Sequence, residues 1–145
     1  MFKSILLPTD GSELSQKAVQ CGVALAKATG ARLVGLHVMP SFQVVAADPM
    51  MVTDTREQYE RDSKALSEKI LLGLQTLAAR ADVPCRCVSR HHDHPYEAII
   101  EAAADSNCEL IVMASHGRRG VKAMVLGSET NKVLTHAKTP VLVVR

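Results

Sequence analysis

The chain has 145 residues, of which 47% are hydrophobic and 22% charged, and its formal net charge is +2. That length predicts a single domain over residues 1–145, large enough for a proper core and too small for a second one. So slight a positive excess argues against nucleic acid as a partner, and no apolar run approaches the length of a membrane span, which argues against a membrane.

Met1 to Ile5 leads straight into a strand-like segment with no signal-peptide architecture, which predicts a cytoplasmic protein. Lys3 to Leu7 reads as a buried strand closed by the turn Pro8-Thr9-Asp10-Gly11. Ser12 is placed to cap a helix from Glu13 to Thr29, with Leu14, Ala18, Cys21, Gly22 and Leu25 on its apolar side and Gly30 as its stop. Ala31 to Met39 is a second strand, ended by Pro40. Ser41 to Thr53 has no clean period and reads as a semi-ordered loop, either a lid or a surface segment. A long helix from Asp54 to Ala81 follows, polar in its first half and so expected to project into solvent there, with a stripe of Leu66, Ile70, Leu74 and Leu77 in its second.

Pro84 precedes a third strand, Cys85 to Arg90, and Pro95 opens a helix to Asp105 with Ala98, Ile99 and Ala102 inward. Leu110 to Ala114 is the fourth strand, Ser128 to His136 the last helix, and Val141 to Val144 the fifth strand. Strands that alternate with helices and are apolar at consecutive positions belong in a parallel sheet covered on both faces. Right-handed crossovers then predict a doubly wound α/β sandwich. Ligands bind such sheets beyond the carboxyl ends of the strands. That draws attention to Pro8–Ser12, Val38–Pro40, His91–His94 and the segment from Ala114.

No G-x-G-x-x-G or G-x-x-x-x-G-K-[ST] occurs, which removes the usual dehydrogenase and P-loop readings. Asp10, directly after the first strand, is able to accept from a ribose diol or simply to form the turn before Gly11. Ala114 to Thr130 holds three glycines, two arginines, a lysine and two serines and ends at a helix start. Small residues, basic side chains and open N–H groups suit a phosphate. Arg118, Arg119 and Lys122 would add charge over it or remain solvated, and Ser115-His116 reads as loop-shaping rather than a nucleophile and base. His91-His92-Asp93-His94 contains metal-ligating types, but on a strand-to-helix turn Asp93 or His94 also serves as a helix cap. Cys85-Arg86-Cys87 has one intervening residue where a redox or zinc pair has two, and the thiols, with Cys21 and Cys108, read as structural.

Leu7-Pro8-Thr9-Asp10-Gly11-Ser12, Leu36-His37-Val38, Met113-Ala114-Ser115-His116-Gly117, Gly127-Ser128 and Pro140-Val141-Leu142-Val143-Val144 together resemble the universal stress protein family over essentially the whole chain. The resemblance implies a five-stranded parallel sheet in the order 3-2-1-4-5 sandwiched by four helices, and a homodimer through Val141–Val144. It further implies the nucleotide-binding motif G-x2-G-x9-G-[ST]. Here Ala114 stands at its first glycine, Gly117 at its second, Arg118 to Leu126 form the spacer, and Gly127-Ser128 close it.

By the same resemblance ATP, or AMP or ADP, would be held with Asp10 at the ribose, the backbone around Val38 at the adenine edge, Pro8 and Met113 as apolar packing, and Thr9 among the binding residues. Gly117, Gly127, Ser128 and Thr130 would hold the phosphates at the last helix's amino end, with Arg118 and Glu129 flanking them. Glu129 is expected to face outward, because inward it would repel the anion. Mg²⁺ or Mn²⁺ would bridge the phosphates, since no acidic cluster offers a protein-only site. The implied role is a stress-response sensor or regulator acting on an unidentified protein partner. The other readings are a nucleotide-free dimeric interaction module and a slow ATPase or phosphotransferase.

Overall fold

The computed structural model describes residues 1–42, 49–118 and 125–145, with the side chains of 49–54 left aside. Its elements are β1 (Ser4–Pro8), α1 (Glu13–Thr29), β2 (Arg32–Met39), α2 (Pro49–Arg80), β3 (Cys85–His91), α3 (Pro95–Asp105), β4 (Leu110–Ala114), α4 (Ser128–His136) and β5 (Val141–Val144). The strands form one parallel sheet in the order β3-β2-β1-β4-β5, as expected.

β1 is central, and Ile5, Leu6 and Leu7 are all fully buried because a helix layer covers each face. Alternation sends Ile5 and Leu7 to one side, where they meet Val19, Val23 and Ala26 of α1 and Leu74 and Ala78 of α2. Leu6 goes to the other side, with Ile99, Ala102 and Ala103 of α3 and Val133 of α4.

Two helices bury the expected faces only in part: Ala18, Gly22 and Leu74 are buried and Leu25 and Leu77 pack at the core's margin, whereas other positions differ. α1 buries Ser15, Ala18, Val19, Gly22, Val23 and Ala26, and Cys21 is exposed. A Cβ on Gly22 would run into Leu7 Cδ2, so the bare glycine is what lets α1 lie this close to β1. The second half of α2 buries Ser67, Leu71, Leu74 and Ala78, and Leu66 is left 41% exposed. In both helices small residues set the contact, because a close helix-to-sheet approach has room only for short side chains.

Helix ends follow the sequence signals. Ser12 Oγ accepts from Ser15 N at 3.2 Å, and Gly30 closes α1 in the left-handed region at φ 71°. α2 begins at Pro49, inside the segment read as loop, with proline at its first position where no N–H is needed. The remainder of that proposed lid, residues 43–48, lies outside the described residues. Residues 55–58 of α2 are exposed as expected, and Tyr59 ties this half back by donating to Pro40 O at 2.6 Å.

Candidate functional site

β1 ends in Pro8, and Thr9 N donates to Leu36 O of β2 at 2.9 Å, which carries the chain out over the sheet's carboxyl edge. Asp10 follows at the boundary where β1 lies between β2 and β4. Its Oδ1 accepts from Ser12 N at 3.0 Å and its Oδ2 from Arg118 N at 2.9 Å. Asp10 is thus both the turn former and a link to the segment after β4. Gly11, at φ 79°, supplies the left-handed step of that turn. Burial alone would raise the Asp10 pKa, but the hydrogen bonds from Ser12, Arg118 and Ser15 outweigh it and hold the carboxyl below its ordinary range. Four lone-pair directions leave this carboxylate able to accept from a further donor.

Gly117 lies against that carboxylate: a Cβ built on it would collide with Asp10 Oδ2. Gly127 is equally confined, since a Cβ there would sit 3.0 Å from His116 Cα and 3.2 Å from Ser115 O. Its N–H donates to Ser115 O at 2.7 Å, and Ser115 N donates to Val144 O at 2.8 Å, so Ser115 clamps both β5 and the start of α4. The loop-shaping reading of Ser115 fits these bonds. Gly127 is the cap position of α4 and brings no side-chain hydrogen bond. Helix geometry leaves the N–H groups of Ser128, Glu129 and Thr130 without intrahelical partners, and they carry the positive end of the dipole.

Ala114 ends β4 and is buried, and the positive-φ non-glycine residues among those described are Asp82 and Asn107. An alanine is therefore unstrained where the motif has glycine. By alternation from Leu110 and Val112 its methyl group lies on the α1 and α2 side, away from α4. Val38 and Met113 pack on the opposite side with α3 and α4, and Pro8 shares that side by alternation from Leu6. The three apolar residues expected around an adenine thus converge on one face, at the carboxyl ends of three adjacent strands.

Three side chains have other duties. Thr130, 3% exposed, donates its only hydroxyl proton to Ala114 O at 2.9 Å, so its hydroxyl is not free to donate to a phosphate and only its N–H remains for that. Glu129 Oε2 accepts from Tyr96 N at 2.9 Å and its Oε1 meets Lys132 Nζ at 3.2 Å. It therefore faces the start of α3. The Arg118 guanidinium lies over Gly11, 3.2 Å from the point a Cβ there would occupy. Arg119 and Lys122 lie outside the described residues.

His37 is the residue of this region that the sequence named without a role. It is 7% exposed on β2, and its Nδ1 is buried without a partner among the described residues. Burial pushes its pKa down, Arg118 adds to that, and Asp10 opposes it in part. The signal was β2's alternation, which puts His37 on the face opposite Val38. A groove of about 750 Å³ also runs along that face between α1 and α2, lined by Thr9, Gly11, Lys69, Ile70, Leu77 and Arg118 among others. It reaches Thr9, Gly11 and Arg118 beside Asp10 and lies across the sheet from Pro8, Val38 and Met113.

The histidine turn is a capping structure with different partners from those expected. His94 is the cap position but makes no side-chain cap bond. Instead His92 Nδ1 accepts from His94 N at 2.9 Å, and Glu129 reaches over from α4 to accept from Tyr96 N. Among the described residues no group of three or more His, Cys, Asp or Glu side chains is placed to hold a metal ion.

The Universal stress protein family matches residues 1–145. The chain belongs to the universal stress protein family. A universal stress protein of Thermus aquaticus, from the QAH/OAS sulfhydrylase 3′ region, is 34% identical over 145 residues, covering 100% of each chain. Among solved structures, that of MJ0577, a universal stress protein of Methanocaldococcus jannaschii, superposes with a TM-score of 0.77 at 26% identity, covering 99% of this chain and 96% of that one. Two more distant neighbours share the fold. One is a universal stress protein solved in complex with cAMP, at TM-score 0.67 and 22% identity over 99% of this chain and 97% of that one. The other is the Archaeoglobus fulgidus protein in complex with dAMP, at TM-score 0.68 and 13% identity over 100% and 98%. Among the described residues no helix is long and apolar enough to cross a membrane.

Proposed function

We propose that this universal stress protein binds an adenine nucleotide, ATP or its AMP or ADP relatives, in the crevice between the ends of β1 and β4, and acts in the cytoplasm as a stress-response sensor or regulator. One convergence carries the reading. The Asp10 carboxylate, the side-chain-free positions Gly117 and Gly127, and the uncapped amino end of α4 all follow the carboxyl ends of β1 and β4, and in our reading they border the nucleotide with Pro8, Val38 and Met113 as its apolar wall. Asp10 accepts from the ribose hydroxyls, Val38 flanks the base, and the N–H groups of Ser128, Glu129 and Thr130 meet the phosphates. The neighbours solved with cAMP and dAMP support the adenine class.

A divalent ion, Mg²⁺ or Mn²⁺, fits this residue set only as a bridge on the phosphates, because the chain offers Asp10 and no acidic cluster among the described residues. When bound it would neutralise phosphate charge. The chain's own residues bind and orient, and none is assigned to turnover.

The decisive experiment is to denature freshly purified protein and identify any released nucleotide, then titrate the emptied protein calorimetrically with ATP, ADP and AMP, with and without Mg²⁺. Saturable binding that Asp10→Ala weakens is expected; no heat with any of them overturns the reading. A second reading rests on β5, an edge strand with Leu142 40% exposed. Such an edge favours pairing with a second copy, and the homodimer we propose is compatible with either ligand state.

A further inference from the structure

β3 is an edge strand, and Cys85 and Cys87 stand two residues apart on it, so both thiols leave the same face, towards α2. Cys87 pairs in register with Gly35 of β2, and a Cβ on that glycine would lie 2.9 Å from Cys87 Sγ and 3.0 Å from Leu74 Cδ1. The bare glycine therefore gives the Cys87 sulfur its seat. That sulfur donates to Leu71 O of α2 at 3.7 Å. Cys85 Sγ lies 3.8 Å from Arg86 O. Both cysteines are free and half-buried at the sheet's open edge.

Strand geometry separates the uses open to such a pair. A rise of about 3.3 Å per residue sets the two Cα atoms ~6.6 Å apart with parallel Cβ directions. A disulfide wants its Cβ atoms about 3.8 Å apart, so closing one would require the strand to buckle. Zinc wants four ligands, and among the described residues no third His, Cys, Asp or Glu joins the pair. An ion satisfied by two sulfurs in line meets neither obstacle. Even at the zinc–sulfur length of about 2.3 Å, a metal in line between two sulfurs holds them no more than roughly 4.6 Å apart. Thiolates select the soft cuprous ion.

We propose that Cys85 and Cys87 form a two-coordinate site for a soft monovalent cation, Cu(I), on the open edge of β3. On binding, each thiol releases its proton and each sulfur forms one bond to the metal, giving a bis-thiolate cuprous centre and two free protons. Copper stays cuprous and no electron is transferred. The space left by Gly35 seats the Cys87 sulfur between β2 and Leu74, and its S–H donation to Leu71 O is given up with the proton. The one-residue spacing that argues against zinc or redox chemistry is the spacing that a linear pair of sulfurs uses.

The test is an anaerobic titration of the reduced full chain with Cu(I) in competition with a chromophoric cuprous chelator, followed by X-ray absorption of the loaded protein. Expected are one Cu(I) per chain, a first shell of two sulfurs, and loss of this binding in Cys85→Ser and in Cys87→Ser. The double variant Cys21→Ser/Cys108→Ser should keep it. Should Cys87→Ser prove misfolded by circular dichroism, Cys85→Ser decides, since its half-buried sulfur is replaced isosterically. Undiminished binding in Cys85→Ser, nitrogen in the shell from the histidine turn, or a shell of three or four sulfurs shared between chains would overturn the proposal.

Discussion

Asp10 joins the turn after β1 to the segment after β4 through its two oxygens, and its depressed pKa makes that link sensitive to acid. A carboxyl whose folded pKa lies below its unfolded value stabilises the protein fully above the unfolded value of about 3.9, and the contribution is lost as pH falls through the folded one. Asp10→Asn should therefore be less stable than the parent at neutral pH, and the gap should narrow on acidification towards pH 3. Urea melts at a series of pH values measure it, and a gap that is constant with pH would refute the assignment. Gly117 is constrained by space, for the carboxylate occupies the place its Cβ would need. Gly117→Ala should displace Asp10 and weaken adenine-nucleotide binding by about tenfold or more, ~1.4 kcal/mol. Calorimetry with the parent nucleotide checks it. Ala114 has no comparable constraint, so Ala114→Gly gains little.

Among the elements, α4 has two roles divided between its first residues. Its first N–H groups have no side-chain cap and in our proposal meet the phosphates, whereas Glu129 turns to the amino end of α3 and accepts from Tyr96 N. Glu129→Ala should cost about 1 kcal/mol, as the loss of a capping acceptor does, while leaving nucleotide affinity unchanged. A thermal melt combined with a binding titration separates the two, and weakened binding at unchanged stability would place Glu129 in the crevice after all. The order and nearly all the bounds of the elements are legible in the sequence, because doubly covered strands are apolar at consecutive positions and Ser12, Gly30 and Pro95 mark helix ends. The inward faces of α1 and α2 are legible only in part, through Ala18, Gly22 and Leu74. Ser15, Ser67 and Ala78 carry little hydrophobic signal, yet they make the contact because short side chains let a helix lie close to a sheet. At the site, Asp10 is legible as a turn former from its place before Gly11, and Gly117 and Gly127 are marked by the family's motif, their confined surroundings being what the structure adds. The commitment of Thr130 to Ala114 O and of Glu129 to α3 is not legible, since it depends on partners that only the fold brings near.

Across the whole molecule, the reversal of winding at β1 sets the crevice, since β2 and β3 are laid down on one side of it and β4 and β5 on the other. The same order leaves β5 as an open edge, and Leu142→Lys should shift a dimer towards monomer in sedimentation velocity by placing charge on that strand. A dimer that persists unchanged would locate the contact elsewhere. The reversal has a further consequence for how the chain comes to life. Asp10 and Arg118, which meet across the crevice, are 108 positions apart in sequence. A ribosome delivers the first long before the second, and contacts of such separation carry a late entropic reward in folding. A growing chain that stops short of Arg118 cannot make this link. A ligand bound at the proposed site would add to the folded chain's stability as its concentration rises above its dissociation constant.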